Sequence, residues 1–224
     1  MKAMKLHLYE ELLLLALRDD KGTIPSGAWH KQAIAGAVLA ELLLEKRLGL
    51  SANGKIVKPL SSEPLGDGLI DECLRQTAQR DRERSLEHWL NKFANAPDLL
   101  ARAAAALCDK GILSAEKTRL LWLFESRSYP ELNPEPERLL LERLELALFG
   151  ESTEVGPRTR IVLSLAHSTG ILQQVFDKQR LKARKTHLEA LIAGENLGPL
   201  AKKLIDSIQA AIMVGAILVP IIAS

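Results

Sequence analysis

Residues 34–58 read IAGAVLAELLLEKRLGLSANGKIVK. The first half, within Ala33 to Leu44, is almost wholly apolar and belongs to a helix predicted from about Pro25 or Ser26 to Lys46. Arg47-Leu48-Gly49-Leu50 and Lys55-Ile56-Val57 then flank Ser51-Ala52-Asn53-Gly54, and an Asn-Gly pair supplies the positive φ angles that a tight β-hairpin turn requires. The local plan is a helix followed by a hairpin. Residues 106–123, ALCDKGILSAEKTRLLWL, repeat the plan with short strands expected at Ile112-Leu113 and Leu120–Phe124. Two copies at unequal spacing do not make a solenoid.

Outward from this stretch the chain reads as helices. Leu8, Leu12 and Leu15 recur at helical spacing within Leu6–Arg18, and Asp19-Asp20-Lys21-Gly22 stops that helix. Pro64–Gly68 opens a third helix, in which Asp67 is placed to cap the free amides ahead of Leu69, Ile70, Cys73 and Leu74. The charged run Arg80–Arg84 interrupts the apolar pattern, and Ser85 then precedes Leu86, Trp89, Leu90 and Phe93 on one helical face. Pro97 and Asp98 start an alanine-rich helix that Gly111 ends near Lys110. Tyr129–Pro136 is a proline-rich loop, followed by helices expected at Glu137–Phe149, Arg158–Val175 and Lys178–Ala193, and by a last one from about Pro199.

The 224 residues include 47% hydrophobic and 26% charged side chains with a net charge of +2, so the chain buries a core without metal or disulfide staples and is not disordered. The near-neutral balance argues against a dedicated nucleic-acid binder. Cys73 and Cys108 form no C-x-x-C pair, which suits a reducing compartment and gives no zinc framework. No secretory signal is read at the N-terminus, because the apolar run Leu12–Leu17 is short and ends at Arg18. At the other end Ile208–Ser224 carries no charge, yet its 17 residues contain Gly215 and Pro220 and fall short of the ~20 a spanning helix needs; a buried helix is expected. The fold class is therefore mainly α: a single globular multi-helix domain over residues 1–224 with small β-hairpins and a buried hydrophobic C-terminal helix.

No nucleophile elbow, phosphate-binding loop, dinucleotide fingerprint or zinc-protease motif is present, and the five histidines are scattered. The best carboxylate group, Asp67, Asp71 and Glu72, suits a metal or acid–base pair in principle, but helix capping accounts for it better. His167, on an apolar helix, is expected to be a hydrogen-bonded core residue. Trp29-His30-Lys31 falls in the first turn of the second helix, where an exposed Trp dips into a lipid interface while a phosphate meets the helix amides; packing in the core is the default for Trp29 itself. The basic run Lys178, Arg180, Lys182, Arg184, Lys185 and His187 is read as a solvated helix face, with attraction to anionic lipid or acidic protein as its functional alternative.

The stretches LLLLALRDDKGTI, GAVLAELLLEKRLGL, PLGDGLIDECL, SLEHWLNKFA, LCDKGIL and RTRIVLSLAHSTGILQQVF occur in the order and at about the spacing of the Golgi phosphoprotein 3 family, which includes vacuolar sorting protein 74. Gly66–Glu72 and Leu165–His167 are the most specific of these elements, and the chain resembles the family's compact bacterial members, lacking the long polar N-terminal extension of the Golgi ones. The resemblance implies a mainly helical, cytoplasmic, peripherally membrane-associated and non-enzymatic adaptor. In the family, eukaryotic members bind phosphatidylinositol 4-phosphate in a basic surface pocket and hold the cytoplasmic tails of membrane enzymes, and the Golgi members oligomerise, so the resemblance implies such tails and a second copy, in a homo-oligomer, as candidate partners. It also implies a buried C-terminal helix and a projecting hairpin, whose nearest counterpart here is around Phe124–Glu137.

The family pocket has a Trp near the start of the second helix, where this chain has Ser26 with Trp29 close after it, and an Arg where this chain has Ala35. Two further pocket arginines belong in Pro97–Lys110, which carries only Arg102. The expectation is an anionic phospholipid surface bound by Trp29, His30, Lys31 and Arg102 with Arg180, Arg184 and Lys185. No metal, cofactor or nucleic acid is expected. The alternative is a winged-helix DNA-binding regulator with Ala33–Leu44 as recognition helix and Lys55 and Lys58 on the wing. A hydrolase built on Asp67, Asp71 and Glu72 comes third.

Overall fold

α1 (Leu8–Ala16) is buried on every face, its glutamates Glu10 and Glu11 included. α2 (Ala28–Leu44) packs along it and is buried from Gln32 to Leu42. A helix apolar all round cannot lie on a surface, so these two form the centre of the domain and the other elements close around them. The computed structural model describes residues 5–17, 22–23, 28–79, 82–120, 124–151, 155–193, 202–203, 205–207 and 209–210. The expected starts of the second and last helices, and the C-terminal helix expected over 208–224 apart from residues 209 and 210, lie outside them.

Beyond α2 the chain turns at Lys46, in the left-handed region with φ 54°, into β1 (Leu48–Leu50) and β2 (Ile56–Pro59). The hairpin turns where Asn-Gly predicts: Gly54 has φ 75°, and Asn53 Oδ1 accepts from the Lys55 N–H at 3.1 Å. α3 (Gly68–Ala78) follows, and then β3 (Arg84–Ser85), which adds to β2 with Val57 opposite Arg84. This third strand is too short and too charged to show in the hydropathy pattern.

α4 (Leu86–Ala94) and α5 (Leu99–Asp109) stand where their apolar faces predict. The second hairpin is displaced from its expected place. Its strands are β4 (Glu116–Leu120) and β5 (Phe124–Ser128), so of the run expected as a strand Leu120 ends β4, Phe124 begins β5 and residues 121–123 lie outside the described residues, while Leu113 makes an isolated bridge to Glu131. The second hairpin thus spans Glu116–Ser128 and shares only β5 with the stretch around Phe124–Glu137 that the resemblance points to.

α6 (Glu135–Phe149) starts two residues earlier than expected. Each of the two long helices predicted after it is broken in two. α7 (Pro157–Ser168) stops where the Thr169 hydroxyl donates to the Leu165 carbonyl at 2.6 Å and Gly170 turns with φ 77°, leaving α8 (Leu172–Val175) as one further turn. α9 (Lys178–Ala183) and α10 (Lys185–Ala193) part at Arg184, whose side chain is held elsewhere. The result is one mainly helical domain around one continuous core. Among the described residues no helix is long and apolar enough to cross a membrane.

Charge at the centre of that core is matched group by group. Glu41 on α2, fully buried, accepts from the Leu8 N–H at 2.7 Å and from Arg158 Nη1 at 2.8 Å. Arg158 reaches from α7 to Glu11 at 3.3 Å and also donates to the Leu6 carbonyl. Glu11 meets Arg143 of α6 at 2.6 Å, and Glu10 meets Lys110, just past α5, at 2.5 Å. Burial alone raises the Glu41 pKa, but the His7 ring, Arg158 and the Leu8 amide outweigh it and hold the carboxyl at about 2. Removing one member leaves its partners buried without compensation, so Glu41→Ala is expected to destabilise the fold by about 3–5 kcal/mol in urea unfolding. A carboxyl held below its unfolded value stabilises above that value. The Glu41 contribution is therefore complete above about pH 4.5 and lost as pH falls toward 2, and Glu41→Gln flattens the stability profile across this window.

Candidate functional site

Trp29 lies on the first turn of α2 with 45% of its surface exposed, although the same helix is enclosed from Gln32 onward. The core packing expected of it is therefore not what the fold provides. Lys31 beside it is exposed, and His30 is buried at 9% exposure. Burial pushes the imidazole below its ordinary pKa, and the Gln174 side chain on α8, hydrogen-bonding the ring, acts the other way.

The remaining residues expected at the site are placed elsewhere. Arg102 is exposed on α5 and turned toward the N-terminus of α3, where Nη2 lies 3.4 Å from the Gly68 carbonyl. Among the described residues no hydrogen bond or ring contact joins it to Trp29. Arg180 stacks on Phe149, 4.1 Å from the ring centroid, and donates to Glu145 at 3.0 Å. Arg184 donates to the carbonyls of Leu148, at 3.1 Å, and Gly150, while the His187 ring bonds the Ala147 carbonyl at 3.0 Å. Helix ends leave carbonyls without partners, and cations are favoured at the C-terminal dipole. Half of the basic run therefore clasps the end of α6. Lys185 pairs with Glu189 at 3.7 Å, and Lys178, Lys182 and Lys185 stay exposed. The clasp leaves no sequence signal because its two halves are about 35 residues apart.

The carboxylates are occupied by the fold. Asp67 caps α3 by accepting from the Leu69 and Ile70 amides at 3.0 and 2.8 Å, and its other oxygen accepts from the Tyr9 hydroxyl at 2.7 Å. Burial and that acceptor push the Tyr9 pKa upward. Asp71 accepts from the Leu65 and Gly66 amides, and Glu72 chelates Arg75. Among the described residues no group of three or more acidic, His or Cys side chains is arranged to hold a metal. Burial pushes the Cys73 thiol up to about 12, far from a reactive thiolate. His167 is exposed on α7, which corrects the core placement expected for it.

A cavity of about 410 Å³ lies between the first hairpin, α4 and residues 206–210. Lys55, Glu87 and Asp206 give it mixed charge around Leu86. The winged-helix alternative loses its geometry here: Ala33–Leu42 is buried and enters no groove, and Lys58 is paired with Glu83 at 3.2 Å.

The Golgi phosphoprotein 3 (GPP34) family profile matches residues 8–208. The chain belongs to this family. The match runs from the first residue of α1 to residue 208, so it covers the buried ion pairs, the α3 cap and the α6 clasp together. Among the described residues of this Golgi phosphoprotein 3 domain, the first turn of α2 brings together an exposed aromatic, an exposed cation and a buried imidazole.

Two substitutions test the structural assignments. Asp67→Ala removes a cap and the Tyr9 acceptor and is expected to cost about 2–4 kcal/mol in chemical unfolding, with Asp67→Asn losing less because it keeps an acceptor oxygen. Arg184→Ala bares the α6 carbonyls and is expected to cost about 1–2 kcal/mol in the same measurement.

Proposed function

We propose that this protein is a non-enzymatic peripheral membrane adaptor that meets an anionic phospholipid surface at the first turn of α2. The observation that carries this reading is the exposure of Trp29, at 45%, on the helix that forms the centre of the domain. A tryptophan left in water beside a lysine at a helix N-terminus has the chemistry of a lipid interface: the indole enters the headgroup region, Lys31 attracts anionic lipid, and a phosphate meets the helix amides. Family membership supports a membrane-associated role and the cytoplasmic tails of membrane enzymes as further partners. The commitment of Asp67, Asp71 and Glu72 to backbone amides and Arg75 supports the absence of catalysis.

Specificity for phosphatidylinositol 4-phosphate is not part of the proposal. Ala35 supplies no cation, and Arg102 faces α3. A site with few fixed cations binds anionic surfaces modestly and in a salt-sensitive way.

Co-sedimentation with phosphatidylcholine, phosphatidylglycerol, cardiolipin and phosphatidylinositol 4-phosphate vesicles tests this. Binding to the anionic vesicles is expected, weaker at high salt, and about tenfold weaker for Trp29→Ala, equivalent to ~1.4 kcal/mol. Charge reversal by Lys31→Glu is expected to weaken binding further. Equal binding to neutral vesicles, or no change in Trp29→Ala, overturns the assignment.

A further inference from the structure

The cavity between the first hairpin, α4 and residues 206–210 has no part in the surface-binding reading, and its walls are fixed to one another. The Leu86 N–H at the start of α4 donates to the Lys55 carbonyl at 2.8 Å. Lys203 donates to the Ser51 and Ala52 carbonyls and so ties the last described segment to the hairpin turn. Gly54 lets the two approach: its φ is 75°, and a Cβ there would stand 2.6 Å from the Ser207 hydroxyl oxygen. The Ser85 hydroxyl is taken by the His88 amide as the cap of α4. Backbone groups, a glycine and one lysine therefore hold the three walls in place.

The charged side chains of the cavity do none of this. Among the described residues Lys55, Glu87 and Asp206 form no ion pair, with each other or with any other group. Nearby charges do pair, Arg47 with Glu63 and Lys58 with Glu83, each at 3.2 Å. One ammonium and two carboxylates thus share a cavity of about 410 Å³ with none of them engaged, while Leu86 and Ala210 add apolar surface. That volume is within the range that takes small molecules, and apolar surface with a few polar groups is the usual lining of such sites.

We propose that this cavity binds a small zwitterion, a molecule with one ammonium and one anionic group joined by a short carbon chain. Glu87 and Asp206 accept from its ammonium, Lys55 donates to its anionic end, and Leu86 and Ala210 meet the methylenes between. A plain anion would face two carboxylates and a plain cation would face Lys55, so only a ligand with both charges satisfies all three groups. A free metabolite and the headgroup of an ethanolamine phospholipid share this chemistry. The proposal is independent of the reading built on Trp29.

The test is calorimetric titration of the full chain with glycerophosphoethanolamine, with ethanolamine and dimethyl phosphate as its two halves. The whole molecule is expected to bind at least about tenfold more tightly than either half, the effect of one charge-assisted contact. Lys55→Gln is expected to remove the advantage over ethanolamine. The double variant Glu87→Gln, Asp206→Asn is expected to remove the advantage over dimethyl phosphate. Urea unfolding verifies that each variant folds, and Lys55→Gln alone decides the matter if the double variant does not. A second arm compares phosphatidylcholine vesicles with and without phosphatidylethanolamine. Recruitment by phosphatidylethanolamine that Lys55→Gln abolishes assigns the site to the lipid headgroup, and binding of the soluble molecule alone assigns it to a free zwitterion; both support the proposal. No binding of glycerophosphoethanolamine at about 10 mM, halves that bind as tightly as the whole, or an affinity that Lys55→Gln leaves unchanged overturns it.

Discussion

The carboxylate of Glu41 is the constraint around which the domain is arranged. It is fully buried on α2, and it accepts from the first amide of α1 and from a guanidinium on α7. A charge in that position is tolerated only where its partners are fixed, so the register of α1 against α2 and the approach of α7 are set together. Through Arg158 and Glu11 the same chain of contacts reaches Arg143 on α6. The core is apolar in bulk, but which helix lies against which is specified by ions. Hydrophobic packing alone permits sliding between two Leu- and Ala-rich helices, whereas a bidentate acceptor against an N–H and an Arg does not.

Much of this architecture is legible in the sequence. The Asn-Gly turn, the Asp67 cap and the faces of α4 and α5 are local features, and each occurs where local chemistry places it. What is not legible is non-local. A continuous apolar pattern from Arg158 to Val175 hides the break at Thr169-Gly170, because the Thr hydroxyl competes for a carbonyl in a way periodicity does not register. The split at Arg184 depends on α6 carbonyls far away in the chain. Strands β4 and β5 carry charged residues at Glu116, Lys117, Arg119, Glu125 and Arg127, so the apolar sequence Leu120–Phe124 is the more conspicuous signal.

The candidate site follows the same division. Trp29, His30 and Lys31 come together because they are adjacent in sequence, and their place at the first turn of α2 is readable from helix periodicity. That Trp29 is outside and His30 inside is a matter of tertiary packing, with Gln174 of α8 beside the imidazole. Arg102, Arg180 and Arg184 show the opposite case: as residue types they suit phosphate, yet the fold has already engaged them with a carbonyl, a phenyl ring and a helix terminus. Belonging to a family fixes the scaffold more firmly than the site it carries.

The chain closes late. Lys203 donates to the carbonyls of Ser51 and Ala52 on the first hairpin, and Gln209 donates to the Ser164 hydroxyl on α7 at 2.7 Å. The first of these contacts joins residues 152 apart. Lys203 is therefore synthesised long after the turn carbonyls it covers, and closure over such a separation raises contact order and slows folding.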